Sequence, residues 1–249
     1  MKMIIDQGYE KSAHLYDIFD NKDNINFFCH YGENAKSVLD IGAGTGRIAI
    51  PLAEKGVKVI CIEPSPAMRQ EFNKKMNFNR KLRNKITLIA SDAQSFKLKD
   101  KFPVAFLSGS FDHFSSDEVK ISSLNNINNH LIPSGILVFD VFIGHMKDSP
   151  LSLIDTTKRG ELEYQRFIEH MILPKNKIDV LLIYKILKNG KIIEEIEQKS
   201  SASVTTRKNV HKLLDKTGFK IQNEYKNYDF SPFTEGSSLL IIEAVKEKK

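Results

Sequence analysis

Through the first 143 residues, short apolar runs alternate with amphipathic ones: "SVLDIG", "GRIAIPLAEKG", "KVICIE", "SPAMRQEFNKKM", "ITLIAS", "VAFLSG", "VKISSLNNINNHL" and "GILVFDVF". Strand-length runs that stay apolar, separated by segments of helical period, predict a parallel sheet buried on both faces by helices. The expected fold is α/β, a doubly wound, Rossmann-like, mostly parallel sheet of seven strands.

The pattern then changes. From about 160 to 204 the runs "ELEYQRFIEHMIL", "KIDVLLIYKIL" and "KIIEEIEQKSSASV" read as strands, and "KNGK" at 188–191 supplies an Asn-Gly hairpin turn. A small antiparallel lid sheet is therefore expected as an insertion after the fifth strand, occupying 145–204, with 1–144 and 205–249 forming the main domain. "TTRKNVHKLLDKTGF" follows as a helix, with a Thr cap at 205 or 206, Val210, Leu213 and Leu214 on its apolar face, and Gly218 as its C-terminal cap. "KIQNEYKNYDF" and "SSLLIIEAVK" read as two strands returning to the main sheet.

Composition narrows the class. Among 249 residues 41% are hydrophobic and 27% charged, and no apolar stretch approaches the ~20 residues of a membrane span. "MKMIIDQGYEKS" lacks the apolar core of a secretory signal, and Cys29 and Cys61 form no disulfide framework or zinc spacing. These features predict a cytoplasmic protein with reduced thiols and no metal site. The net charge of +6 is spread along the chain, with short groups such as "NKKMNFNRKLRNK" (73–85), which suits a solvated surface better than a nucleic-acid footprint.

Candidate chemistry concentrates in "VLDIGAGTGRIAIPLAEKGVKVICIEPSP" (38–66). A strand leading into Gly42, Gly44 and Gly46 and then a helix lets backbone approach a ligand where β-carbons would intrude. Glu63 ends the second strand, 17 residues beyond Gly46, where a carboxylate can accept both hydroxyls of a ribose. Glycines and acid alone leave dinucleotides and other adenosine cofactors open. The spacing, however, is G-x-G-x-G rather than G-x-G-x-x-G, and Asp40 before the loop opposes a pyrophosphate but suits a cation such as S-adenosylmethionine. In "SDAQSF", Asp92 and the Ala93 N–H are placed to read an adenine amino edge.

In order and spacing, "VLDIGAGTGRIAIPLAEKG", "VICIEPSPAMRQEF", "ITLIASDAQSF" and "LIPSGILVFDVF" resemble the successive motifs of class I S-adenosylmethionine-dependent methyltransferases, over about residues 36–143. The resemblance implies S-adenosyl-L-methionine as cofactor, with Asp40, Gly42, Ala43, Gly44 and Gly46 around its methionine portion and Glu63 on the ribose. It further implies Pro64, Ser65 and Met68 beside the adenosine, and Asp92 with Ala93 at the base.

"LSGSFDHFSSDE" is similar to the "GNSFxHL" segment of glycine N-methyltransferase and related small-molecule enzymes, with Ser110, Phe111 and His113 matching and Gly109 replacing the asparagine. That replacement counts against a glycine-like carboxylate substrate. In such enzymes this segment faces cofactor and acceptor, so Ser110 and Phe111 join the cofactor set and His113 is the candidate to orient an acceptor or take its proton. "GYEKSAHLYDIFDN" resembles the N-terminal helix that folds over the cofactor, with Tyr9 and Tyr16 on one helical face as lid residues. The inserted sheet resembles the lid of N-methyltransferases acting on amino sugars and similar metabolites, making Tyr164, Arg166 and His170 candidates to line the acceptor pocket.

The expected activity is methyl transfer to N or O of a small molecule by in-line displacement, driven mainly by proximity and orientation. A nucleic-acid methyltransferase is the first rival, disfavoured by the absence of a D/N-P-P-Y/F/W segment and of a Pro-Cys nucleophile. A cofactor-binding regulatory protein without turnover is the second, and a nicotinamide dehydrogenase the third. A homodimer through the inserted sheet is also compatible with the pattern.

Overall fold

The computed structural model describes residues 9–19, 23–79, 81–144, 147–174 and 177–247. The apolar runs form strands β1 (Ser37–Ile41), β2 (Lys58–Ile62), β3 (Ile86–Ile89), β4 (Phe102–Leu107) and β5 (Leu131–Phe142). After four further strands described below, β10 (Phe219–Tyr225) and β11 (Leu239–Lys246) complete a seven-stranded sheet in the order β10, β11, β5, β4, β1, β2, β3. β1 to β5 pair in parallel, while β11 is antiparallel to both β5 and β10.

Helices α1 (Asp23–Gly32), α2 (Ala49–Glu54), α3 (Pro66–Phe78), α4 (Asp117–His130) and α5 (Arg207–Lys216) cover the sheet. Because successive strand residues point to opposite faces, β1 feeds two cores. Leu39 and Ile41 pack with Leu124 of α4 and Leu213 of α5. Val38 packs with Phe28 of α1, Leu52 of α2 and Phe72 of α3. Local chemistry sets the helix ends: Ser65, Ser116 and Thr206 cap α3, α4 and α5 by accepting the backbone N–H three residues on, and Gly218 leaves α5 at φ 74°.

Strand order reverses at β1, with β2 on one side and β4 on the other. A crevice opens at the carboxyl ends of strands where the order reverses, and "DIGAGTG" and "LSGSFDH" leave β1 and β4 there.

β6 (Ser149–Arg159), β7 (Leu162–Leu173), β8 (Lys177–Lys188) and β9 (Lys191–Ser203) form a separate antiparallel sheet in that order, following β5. Asn189 (φ 52°) and Gly190 (φ 74°) make the β8–β9 turn, as two consecutive left-handed residues must in a two-residue hairpin. β6 has no counterpart among the strands expected from sequence. Its residues are all at least partly exposed and two register shifts against β7 interrupt its alternation, so neither apolar content nor period marks it.

The N-terminal stretch departs from expectation in a second way. Of its described residues only Ala13–Ile18 are helical, and as a 3-10 helix, while Tyr9 lies before it at φ 61°. Tyr9 and Tyr16 therefore do not share one α-helical face, although their rings meet edge to face at 5.8 Å. Gly8, Asp20 and Asn21 of this stretch lie outside the described residues. The segment is wedged between the sheets: Leu15 and Phe19 pack on Tyr184, Ile186 and Ile196, Ser12 Oγ donates to Gln198 at 2.5 Å, and Thr45 Oγ1 donates to Asp17 at 2.7 Å. Among the described residues no helix is long and apolar enough to cross a membrane.

Candidate active site

The three glycines do different work. All have positive φ: 71° at Gly42, 55° at Gly44 and 84° at Gly46. A β-carbon on Gly42 would lie 2.1 Å from Ser110 Oγ and one on Gly46 would lie 2.3 Å from the Phe72 ring, so both are required by packing. A β-carbon on Gly44 would meet nothing within 4 Å. Gly44 thus presents bare backbone to open space at the head of the crevice, where a ligand can come close.

Glu63 ties this loop to β2. Its Oε2 accepts the Gly44 N–H at 2.7 Å and its Oε1 accepts the Ser65 N–H at 2.8 Å. Each oxygen retains acceptor capacity, enough for the two hydroxyls of a ribose. Burial raises the Glu63 pKa, and the Ser65 and Gly44 amides oppose that rise.

Asp40 is 2% exposed, and its Oδ2 is buried without a hydrogen-bond partner. Burial, with the nearby Glu63 charge, pushes its pKa up to about 7. An orphaned buried carboxylate oxygen is costly unless a ligand completes it. Asp40 lines a pocket with Tyr16, Asn24, Gly44, Arg47 and Ser108. The donor set suits the methionine end of S-adenosylmethionine: a carboxylate for a cation, bare glycine backbone, and an acid at the ribose position.

At the β2 end of the crevice, Pro64 is exposed, Ser65 caps α3, and Met68 is buried at 3% exposure. Asp92 is exposed and its Oδ1 accepts the Gln94 and Ser95 amides, both at 2.9 Å, while Ala93 beside it is buried. At the opposite end, Ser110 Oγ donates to Ser108 O at 3.1 Å and to Gly42 O at 3.4 Å, linking the β4 loop to the glycine loop. Phe111 is wholly buried against Phe139, with ring centroids 4.8 Å apart, so it supports the site from the core.

His113 ends the short 3-10 turn Phe111–His113 with part of its ring in solvent, and its Nε2 lies 3.4 Å from the Tyr9 hydroxyl. Burial of the ring lowers the His113 pKa below the usual imidazole value. The Tyr9 pKa is raised, first by burial and then by Tyr16.

A second cavity of about 260 Å³ adjoins the first and shares Tyr16, Asn24 and Arg47 with it. Phe19, Arg166 and Tyr228 complete much of its wall. Arg166 is held by Asp155 and lies over the Phe19 ring at 5.2 Å. Tyr164, two residues earlier on the same face of β7, packs against the Leu15–Phe19 cluster. His170 is not brought to this cavity: its Nδ1 pairs with Ser149 Oγ at 3.0 Å, four residues and about 13 Å along the strand from Arg166. Asn24, Arg47, Ser108, Asp140 and Tyr228 escaped the sequence reading. Asp140 carried a signal nonetheless, as an acid inside the apolar run "GILVFDVF", the same mark that singled out Asp40 in "VLDIG".

Residues 38–135 match the family model of a methyltransferase domain. An uncharacterized methyltransferase of Oceanobacillus iheyensis is 29% identical over 150 residues, covering 60% of this chain and 66%, just under two thirds, of that relative. Among solved structures, the CcbJ methyltransferase of Streptomyces caelestis superposes with a TM-score of 0.79 at 17% identity, covering 96% of this chain and 97% of that one. An amino pentose methyltransferase from Micromonospora echinaspora, solved with S-adenosylmethionine bound, superposes with a TM-score of 0.69 at 16% identity, covering 97% and 92%. The fold, parallel sheet and antiparallel insertion together, is the one these solved methyltransferase structures share.

Proposed function

We propose that the protein moves a methyl group from S-adenosylmethionine to a nitrogen or oxygen of a small-molecule acceptor. The observation that carries this reading is the buried, unpartnered Asp40 Oδ2 beside the open backbone of Gly44. When bound there, the cofactor supplies a methyl group already activated by a sulfonium, so the protein need not form a covalent bond of its own.

The chain's residues then have positioning work to do. Asp40 holds the cationic end, Glu63 the ribose, and Asp92 with the Ala93 N–H the base, while Pro64, Ser65 and Met68 shape the adenosine wall. Tyr9 and Tyr16, folded over the crevice by the N-terminal segment, exclude water from it. His113, neutral near pH 7 because its pKa is lowered, can accept a proton from an acceptor amine or hydroxyl at Nε2 when the Tyr9 hydroxyl, 3.4 Å away, yields that lone pair. The inserted sheet, through Arg166 and Tyr164, bounds the cavity assigned to the acceptor.

Likeness to an amino pentose methyltransferase supports an amine on a sugar-like scaffold as the first acceptor class to examine. The buried, unbridged Cys29 and Cys61 support a cytoplasmic setting. Calorimetric titration with S-adenosylmethionine, S-adenosylhomocysteine and NAD tests the cofactor. Micromolar binding of the first two alone is expected, and NAD binding or no binding at all would defeat the proposal.

A further inference from the structure

Tyr228 sits at the tip of the β10–β11 connection, remote in sequence from the glycine loop, yet its hydroxyl donates to Asp140 Oδ2 at 2.7 Å. The same oxygen accepts the Ser108 hydroxyl at 3.4 Å, and Asp140 Oδ1 accepts the Gly109 N–H at 2.5 Å. Ser108 Oγ accepts Asn24 Nδ2 at 3.1 Å, and Asn24 Oδ1 accepts Arg47 Nη2 at 2.7 Å. A continuous chain of hydrogen bonds therefore joins Tyr228, a wall of the second cavity, to Ser108, Asn24 and Arg47, which line the pocket at the glycine loop. Asp140, 4% exposed, is the hinge of this chain, and its converging donors explain how a carboxylate is tolerated there.

The tip carrying Tyr228 is itself braced. The Lys226 N–H donates to Ser231 O at 3.0 Å and the Phe233 N–H to Glu224 O at 2.9 Å, closing the hairpin behind it. Phe230 stands in the left-handed region at φ 63°, which a side chain with a β-carbon holds only where its surroundings enforce it. Its ring lies 4.6 Å from that of Phe27, 5.0 Å from His30 and 5.6 Å from Tyr225. The strained residue anchors the loop to α1, whose first turn carries Asn24, so the phenol and the Asn24 link of the hydrogen-bond chain are tied to one helix.

We propose that Tyr228, braced by Phe230 and linked through Asp140, is a positioning residue that couples the acceptor cavity to the cofactor pocket. The proposal rests on the reading of the glycine-loop pocket as the S-adenosylmethionine site. A ligand that engages Asn24, Ser108 or Arg47 sets the geometry of Asp140 and hence the phenol. By reciprocity, a phenol that loses its anchor weakens the ligand.

The test is calorimetric titration of the full chain with S-adenosylmethionine, alongside thermal midpoints, for wild type, Tyr228→Phe, Asn24→Ala, the double variant and Asp140→Asn. Tyr228→Phe, which removes only the hydroxyl, is expected to weaken binding about three- to tenfold. The double variant should be no weaker than the worse single one, since both cut the same chain. Asp140→Asn turns the oxygen that accepts the Tyr228 and Ser108 hydroxyls into an amide donor and is expected to weaken binding at least as much as Tyr228→Phe. Phe230→Ala, which frees the tip without touching the chain, gives an independent variant and should show a loss similar to that of Tyr228→Phe. Wild-type binding that Tyr228→Phe and Phe230→Ala leave unchanged, or singles that add in the double variant, would overturn the coupling alone. A wild-type chain that does not bind S-adenosylmethionine would remove the reading beneath it as well.

Discussion

The Gly44 N–H donates to Glu63 Oε2 across 2.7 Å, so the residue that offers bare backbone to the ligand is held by the acid assigned to the ribose. One carboxylate thus shapes the loop and carries the proposed ribose contact. Replacing Glu63 with Ala removes the anchors of Gly44 and Ser65 together with the proposed ribose contacts. S-adenosylmethionine affinity should fall by roughly 1.5–3 kcal/mol. Unchanged calorimetric affinity would show that Glu63 serves the loop's fold and nothing else.

Gly44 and Gly46 should separate binding from folding. A side chain at Gly44 enters open space in the pocket, so Gly44→Val should abolish cofactor binding while the backbone penalty at φ 55° stays at about 1–2 kcal/mol. Gly46→Ala drives a β-carbon into Phe72, a wholly buried ring, and should instead lower the denaturation midpoint by more than Gly44→Ala does. Paired titration and thermal melts decide between them, and the reverse order would exchange their roles.

Asp40 predicts a pH-dependent affinity. Its pKa in the folded protein, about 7, stands above the ordinary carboxylate value of 3.8. The buried acid therefore contributes stability while protonated and loses it as pH rises from about 4 through 7. A cationic ligand prefers the ionised form, so binding near pH 6 must expel a proton and should be about tenfold weaker than near pH 8. Titrations in buffers of different ionisation enthalpy would register that proton; affinity independent of pH would remove Asp40 from the cation's surroundings. Asp40→Ala should lose most affinity at every pH.

His113 makes the opposite kind of statement. Its pKa lies below the usual 6.5, so its contribution to stability is complete above that value and fades as pH falls through the lowered one. As a proton acceptor it is competent over the same range, placing the acid limb of the rate profile below pH 6.5. His113→Gln should reduce turnover more than cofactor affinity and erase that limb. A rate profile that survives the substitution would assign the limb to another group.

The parallel sheet was legible because its strands are buried on both faces and read as unbroken apolar runs, and the loop at the end of β1 was legible because glycine spacing and isolated acids mark a strand end locally. β6 was hidden by its exposure and its bulges. Tyr228 and Asn24 were hidden for another reason: each reaches the site through tertiary contacts to Asp140 and Ser108, and no spacing in the chain encodes that meeting. His170 shows the converse, an attractive residue type on the expected element whose position along the strand takes it past the cavity.

The wedge of residues 9–19 between the two sheets constrains the order of assembly. Ser12 meets its partner Gln198 across 186 positions of chain, and Asp17 accepts Arg159 across 142. The segment cannot settle until the inserted sheet that carries Arg159 and Gln198 is in place, since contacts of such separation form late and slowly. Docking of residues 9–19 is thereby tied to the inserted sheet: the glycine loop can be complete before that segment has anything to pack against.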